Sequence, residues 1–470
     1  NLFQHLLATA VFLFLFLSAY SNAQFKLPKY DVLTLDNGLT IYLMEKKDVP
    51  IISFSAVFDA GVIRDGEKKG LASFTAEALK FGTSNYSKIQ IDSIFNFYGS
   101  SLNTYARLDY SGLYAQFMKD DLDKLLPVIK EVMTTPTFPE EEIVKRKQRW
   151  IAELDQAKES PGRVIGAYFN RFLFTNSIYA NPVDGTKLGI ESITSDDIKQ
   201  FYKKNYPLKY SAIAIVGDFD TDQMKNKIIS YLMPGSFLVN KSDSVRTVDK
   251  IEFDDFDRMP VRGSLVNDSV RMVPGTKDTR FKKGDSNVYL INKDNATETT
   301  FMIGGFGVPM NNQDKIQIDV INTILGGRFT AWLIEELRTN AGLTYSAWSR
   351  FASYKGTGAF YISTFTQTEN TEQAIDLALK TYNRLFEKGI DEATLTSARN
   401  YVKGQFPPGY ETASSLAGFL TQKYIYGFED SYINDFEKTV DGMTIEKANE
   451  IIKKYFPKDK LQFVLVGKSA

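Results

Sequence analysis

The stretch Gly70 to Thr83, GLASFTAEALKFGT, decides how this chain is read. Leu71, Phe74, Ala78 and Phe81 recur at helical spacing and predict a helix with one apolar stripe. Ser73, Glu77 and Lys80 fall on the opposite face, about one turn apart. That face therefore offers a hydroxyl, a carboxylate and an ammonium, but no imidazole.

The composition narrows the chemistry further. The chain has 470 residues, one histidine (His5) and no cysteine. After position 5 there is no residue for a histidine-based zinc site, a serine–histidine triad or a cysteine nucleophile. Lys and Arg number 56 against 57 for Asp and Glu, a net charge of −1, which gives no electrostatic case for nucleic acid or an anionic membrane surface. The length is too great for one core and predicts two or more domains. Gly304-Gly305 and Gly326-Gly327 fit no phosphate-binding pattern and read as strand-end and turn glycines.

Ala8 to Ala19 is a Phe- and Leu-rich run without a charge, followed by Tyr20-Ser-Asn-Ala-Gln24. With its small-x-small site at Ser21-Asn-Ala23, residues 1–23 read as a secretory signal peptide, cleaved after Ala23. The protein is then expected in the periplasm or secreted, off the membrane after cleavage. The alternative is an uncleaved anchor, for which the run is short.

From Tyr30 onward the chain reads as a recurring α+β module. Leu33 to Leu43 is a hairpin around Asp36-Asn-Gly38, and Ile51 to Ala60 is a strand. Asn103 to Tyr114 alternates like a strand, Leu122 to Met133 and Glu140 to Lys158 read as helices, and Asp196 to Asn205 is a helix capped by Thr194 or Ser195. Strand Ser211 to Val216 follows, ending at Gly217. The pattern then repeats: Tyr206-Pro207 and Gly217 return as Phe456-Pro457 and Gly467, and 457 − 207 and 467 − 217 both equal 250. Ile51 to Gly61 likewise returns as Thr300 to Gly307 before a helix at Lys315 to Leu325. Two homologous halves, 24–234 and 287–470, are expected, joined by a polar linker at 235–286.

The Gly70–Thr83 frame resembles the zinc-binding helix of the pitrilysin/insulinase family of metallopeptidases, in which Gly70, Leu71, Ala72, Phe74, Gly82 and Thr83 all have counterparts. The resemblance puts the two zinc-ligand histidines of that family at Ser73 and Glu77, its general-base glutamate at Ala76, and its third ligand at Glu153. A hydroxyl is a poor zinc ligand and Ala76 accepts no proton, so no metal is expected in this chain. Without its partners, Glu153 reads as a helix carboxylate paired with Lys or Arg. Landmarks continue through Pro161, Asn181-Pro182, Gly185-Thr186, Asn205-Tyr206 and Gly217-Asp218, so the likeness covers nearly all of the chain after the leader. It implies two processing-peptidase-like domains, each a mixed sheet packed with helices, closing as a clamshell around a peptide cavity.

The second half retains more. Leu325-Gly-Gly-Arg-Phe…Arg338…Gly342-Leu-Thr-Tyr345-Ser reads as turn, helix, turn, strand and is similar to the family segment whose arginine and tyrosine, seven residues apart, face the zinc site. The resemblance implies that Arg338 and Tyr345 hold substrate or donate to an oxyanion. Two functions follow from it. In one, the chain is the non-zinc subunit of a heterodimeric, exported peptidase, acting in trans on peptide bound by a zinc-bearing homologous subunit. In the other, it is a non-enzymatic scaffold or peptide-binding protein.

Overall fold

The computed structural model describes residues 25–175, 177–232, 270–272 and 287–468. The leader at 1–23 and the linker at 235–286, apart from one short strand, lie outside the described residues.

Twelve strands form two six-stranded sheets among the described residues. The first contains β1 (Asp31–Thr34), β2 (Thr40–Glu45), β3 (Ile51–Phe58), β4 (Ser101–Ala106), β5 (Ser111–Met118) and β6 (Ser211–Gly217), in the order β1-β2-β6-β3-β5-β4. The second contains β7 (Val270–Met272), β8 (Asn287–Asn292), β9 (Glu298–Phe306), β10 (Ala347–Ser353), β11 (Gly358–Gln367) and β12 (Gln462–Gly467), in the order β7-β8-β12-β9-β11-β10. The two orders are the same order. In each sheet one pair is parallel, β2 with β6 and β8 with β12, and the rest are antiparallel. Even the closing bond repeats: the Lys46 N–H donates to the Gly217 carbonyl and the Lys293 N–H to that of Gly467, both at 2.8 Å. The constant spacing in the sequence is thus a repeat in space.

The Asp36-Asn-Gly38 hairpin forms, with Thr34 paired to Thr40. One expectation is corrected: Asn103 to Tyr114 is not a single strand but parts of β4 and β5, joined by a turn at 107–110. Its alternation is real on both sides of the turn, and no Gly or Pro marks the reversal. Thr194 is the helix cap, in a capping box with Asp197.

Strand periodicity explains how the sheets are covered. On β6, Ile213 and Ile215 face helices of the first half, while Ala212, Ala214 and Val216 face the other way. That second face packs against helix Ala413–Tyr426, which belongs to the second half. The exchange is mutual. Val464 and Val466 of β12 and Met302 of β9 pack with Ile165 and Phe169 of helix Pro161–Leu173, from the first half. Phe463 and Ile303 face their own half's core.

Helix Leu71–Ala78 begins at Gly70, whose φ of 103° is left-handed. A side chain there would meet Ile190 Cδ1 at 2.6 Å and the Gly185 Cα at 3.0 Å, so glycine is required. Asp65 supplies the cap: its carboxylate accepts from the N–H groups of Gly70 at 2.6 Å and Ala72 at 2.7 Å.

Two outcomes test this account. Leu420, fully buried on the exchanged helix, holds the halves to one another. Leu420→Ala is expected to cost about 3 kcal/mol and to lower one cooperative melting transition in calorimetry rather than split it. Burial pushes the Asp65 carboxyl up to about 7, against the pull of its two N–H donors. Its folded value lies above the unfolded one of about 3.9, so its contribution is full below about pH 4 and is lost as pH rises through about 7. Asp65→Asn cannot ionise, so the melting temperature of the unsubstituted protein should fall relative to the variant as pH is raised across that window.

Candidate functional site

Helix Leu71–Ala78 carries the three motif positions, and it is buried on nearly all sides. Ser73 is 9% exposed, and its hydroxyl donates to the Val183 carbonyl at 2.6 Å. Ala76 is fully buried, so the position of the general base faces packed interior rather than a cleft. Of the expected polar face only Glu77 and Lys80 reach solvent, and the Lys80 ammonium lies 3.3 Å from the Leu102 carbonyl.

Glu77 meets Glu153 through a third residue. Arg146 lies on helix Glu140–Ala157, two turns before Glu153 and one before Trp150. Its Nε donates to Glu77 Oε1 at 2.6 Å. Its Nη1 donates to Glu153 Oε1 and Oε2 at 3.0 and 3.1 Å, and its Nη2 to Oε2 at 3.1 Å. The guanidinium is also stacked 4.5 Å over the Trp150 ring, which stacks in turn on Phe74 at 5.3 Å. Trp150 is pinned through Nε1 to the Asp184 carbonyl at 3.1 Å. Burial alone would lower the Arg146 guanidinium, but its hydrogen bonds to the two carboxylates outweigh that and hold it above its ordinary value.

These residues do not fit a zinc ion. The Ser73 hydroxyl is committed to a carbonyl, both carboxylates are engaged by one guanidinium, and no group of three or more His, Cys, Asp or Glu side chains converges among the described residues.

Arg338 and Tyr345 are brought together elsewhere. Arg338 sits on a widened, π-helical turn, Glu335–Asn340, that continues the short helix Trp332–Ile334. The buried side chains Leu333, Leu337 and Leu343 anchor this turn to the second core. Tyr345 lies in the loop just before β10 rather than in the strand itself. Its neighbours are fixed: the Ser346 N–H donates to the Thr344 hydroxyl at 3.2 Å, and the Thr364 hydroxyl donates to the Ser346 carbonyl at 2.8 Å.

Between these fixed points the side chains stack. The Arg338 guanidinium carbon lies 4.4 Å from the centroid of the Tyr345 ring and 5.0 Å from that of Phe329. Both rings are 71% exposed. Among the described residues no hydrogen bond or ion pair engages the Arg338 guanidinium or the Tyr345 hydroxyl, and none joins this group to Arg146, Glu77 or Glu153. Such a stack can offer in-plane N–H groups and a phenol O–H to a carbonyl, a carboxylate or an oxyanion.

Two of these residues have no role in the sequence reading. Arg146 was readable as a spacing, four before Trp150 and seven before Glu153 on one helix face. Phe329 stands inside the Leu325-Gly-Gly segment, but only folding shows which side chain it meets.

Comparisons with known proteins agree with this geometry. Residues 41–187 match the model for insulinase (peptidase family M16), and residues 192–402 that for the peptidase M16 inactive domain. The chain is 25% identical over 425 residues to the non-peptidase homolog YmxG of Helicobacter pylori, covering 87% of this chain and 86% of that protein. It is 24% identical over 468 residues to the zinc protease PqqE of the same organism, covering 96% of each. A crystal structure of a peptidase M16 inactive domain from Pseudomonas fluorescens superposes with a TM-score of 0.79 at 21% identity, over 94% of this chain and 98% of that one. With its doubled fold and its two matched regions, the chain belongs to the insulinase (M16) family of metallopeptidases, with Ser73, Ala76 and Glu77 at the positions of the histidine motif.

Proposed function

We propose that this protein is the non-zinc subunit of an exported, heterodimeric M16 peptidase that degrades or processes peptides. A homologous subunit with an intact histidine motif supplies the metal, and this chain supplies Arg338, Tyr345 and part of the cavity wall. The observation that carries the reading is the Phe329–Arg338–Tyr345 group: a partly buried cation against two exposed rings, with no hydrogen-bond partner among the described residues. Its own motif positions, by contrast, are consumed by internal contacts. The likeness to both a non-peptidase homolog and a zinc protease of one organism supports a division of labour between two such chains.

In this role Tyr345 donates its hydroxyl to the oxygen of the attacked carbonyl, and Arg338 holds the peptide in the ground state as well as later. Phe329, whose ring centroid lies 5.0 Å from the guanidinium carbon, helps to hold Arg338 beside Tyr345. Export rests on the apolar leader, and cleavage after Ala23 would leave a mature chain beginning at Gln24.

The test is reconstitution with a histidine-bearing homologous subunit and a peptide substrate. Tyr345→Phe should lower kcat by a factor on the order of 10², with complex formation unchanged. Arg338→Ala should lower kcat and raise KM together. Phe329→Ala removes one stacking face, worth about 0.5–1 kcal/mol, and should raise KM roughly two- to fivefold. Full activity with both Tyr345→Phe and Arg338→Ala would assign the chain to the scaffold or peptide-binding reading instead. Amino-terminal sequencing of the native protein should begin at Gln24, and an intact leader recovered in the membrane fraction would refute the cleavage.

A further inference from the structure

The polar contacts at the degenerate motif have the form of a metal site built around an organic cation. Two carboxylates from different helices, Glu77 and Glu153, converge on one positive centre, which donates four hydrogen bonds to them between 2.6 and 3.1 Å. The centre is the more enclosed partner: the Arg146 side chain is 13% exposed, against 32% for Glu77 and 54% for Glu153. One face of the guanidinium is covered by Trp150, so its charge is fixed in orientation as well as position. Without it, two acidic side chains would face each other across the junction of two helices, and like charges at that range disfavour their common ionisation.

We infer that Arg146 is the resident cation of this site: its guanidinium occupies the space between Glu77 and Glu153 that a metal ion would need. The chain is then kept metal-free in two ways, by the loss of ligands and by an occupant. The occupant also does the structural part of a metal's work, tying helix Leu71–Ala78 to helix Glu140–Ala157 through opposite charge. This inference is independent of the partner-subunit reading, since it concerns only side chains within this chain.

Restoring ligands alone should therefore fail to restore a metal site. In the full chain, Ser73→His, Ala76→Glu and Glu77→His are introduced together, once with Arg146 kept and once with Arg146→Ala. Zinc binding is measured by equilibrium dialysis with metal analysis. The rebuilt chain lacking Arg146 should bind zinc on the order of 10²-fold more tightly than the one that keeps it, because a fixed cation no longer competes for Glu153. Equal binding by the two rebuilt chains, tight or absent, would overturn the inference.

A second measurement stands if the rebuilt chains do not fold, as judged by circular dichroism. Arg146→Ala and Arg146→Lys are made in the otherwise unchanged chain and melted with and without millimolar Mn²⁺ or Zn²⁺. Divalent cation should raise the melting temperature of Arg146→Ala by a few degrees and leave Arg146→Lys and the unsubstituted protein unmoved. No difference in cation response between Arg146→Ala and the unsubstituted protein would overturn the inference by this route.

Discussion

Each sheet in this protein has two apolar faces, and its own half supplies helices for only one of them. The remaining face would expose a contiguous apolar surface far larger than a soluble protein tolerates. The structure answers this by exchange: helix Ala413–Tyr426 closes the first sheet and helix Pro161–Leu173 closes the second. Small side chains make the exchange possible. Ala212 and Ala214 on β6 let the foreign helix lie close to the strand, and Ala417 on that helix does the same from its side. Neither half could bury its sheet without the other, so the doubled fold behaves as one folding unit.

Polar groups at the junction are paired to match. Asp109, from the turn between β4 and β5, accepts hydrogen bonds from the hydroxyls of Tyr179 at 2.8 Å and Tyr426 at 3.3 Å, and from the Lys355 N–H at 2.9 Å. Burial raises its carboxyl, and these three donors work against that rise. Tyr179 in turn accepts from the Gly356 N–H at 3.0 Å, and its ring stacks on Tyr354 at 5.3 Å. A buried carboxylate served by both halves specifies one relative position for them, since any slip would leave it unpaired. The single hydroxyl contact between Ser55 on β3 and Thr421 on the exchanged helix adds to the same registration.

The repeat was legible because it rests on local chemistry. Proline and glycine at a spacing of 250 mark where each closing strand begins and ends, and strands announce themselves by alternation. The Asn103 to Tyr114 hairpin escaped because its turn, Arg107, Leu108, Asp109 and Tyr110, holds no Gly, Pro or Asn, and a lone Asp is a weak turn signal; Asp109 also serves the junction. The exchanged helices were illegible for a different reason. An apolar helix face shows that a helix packs, but not which half it packs against. At the motif, the sequence establishes which side chains cannot bind zinc. It does not reveal that a guanidinium from a neighbouring helix stands between the two carboxylates, since Glu77 and Arg146 are 69 residues apart and meet only through the fold.

The polar side chains singled out in the two halves stand in opposite conditions. In the first, the side chains at the motif positions and their neighbours are engaged within the chain: Ser73 on a carbonyl, Glu77 and Glu153 on Arg146, and Trp150 beneath that arginine on Phe74 and the Asp184 carbonyl. These contacts stabilise helix packing. In the second, the buried leucines Leu333, Leu337 and Leu343 hold a turn on which the Arg338 guanidinium has ring contacts but no hydrogen bond among the described residues. An arginine stacked between exposed rings gains little for folding, because exposed cation–π contacts are weak and its N–H groups stay solvated. A rigid base carrying unspent donors is what binding requires, since the ordering cost is met by the fold before any ligand arrives. In the proposed function the chemistry left to this chain therefore lies in its second half, and the first half serves as wall.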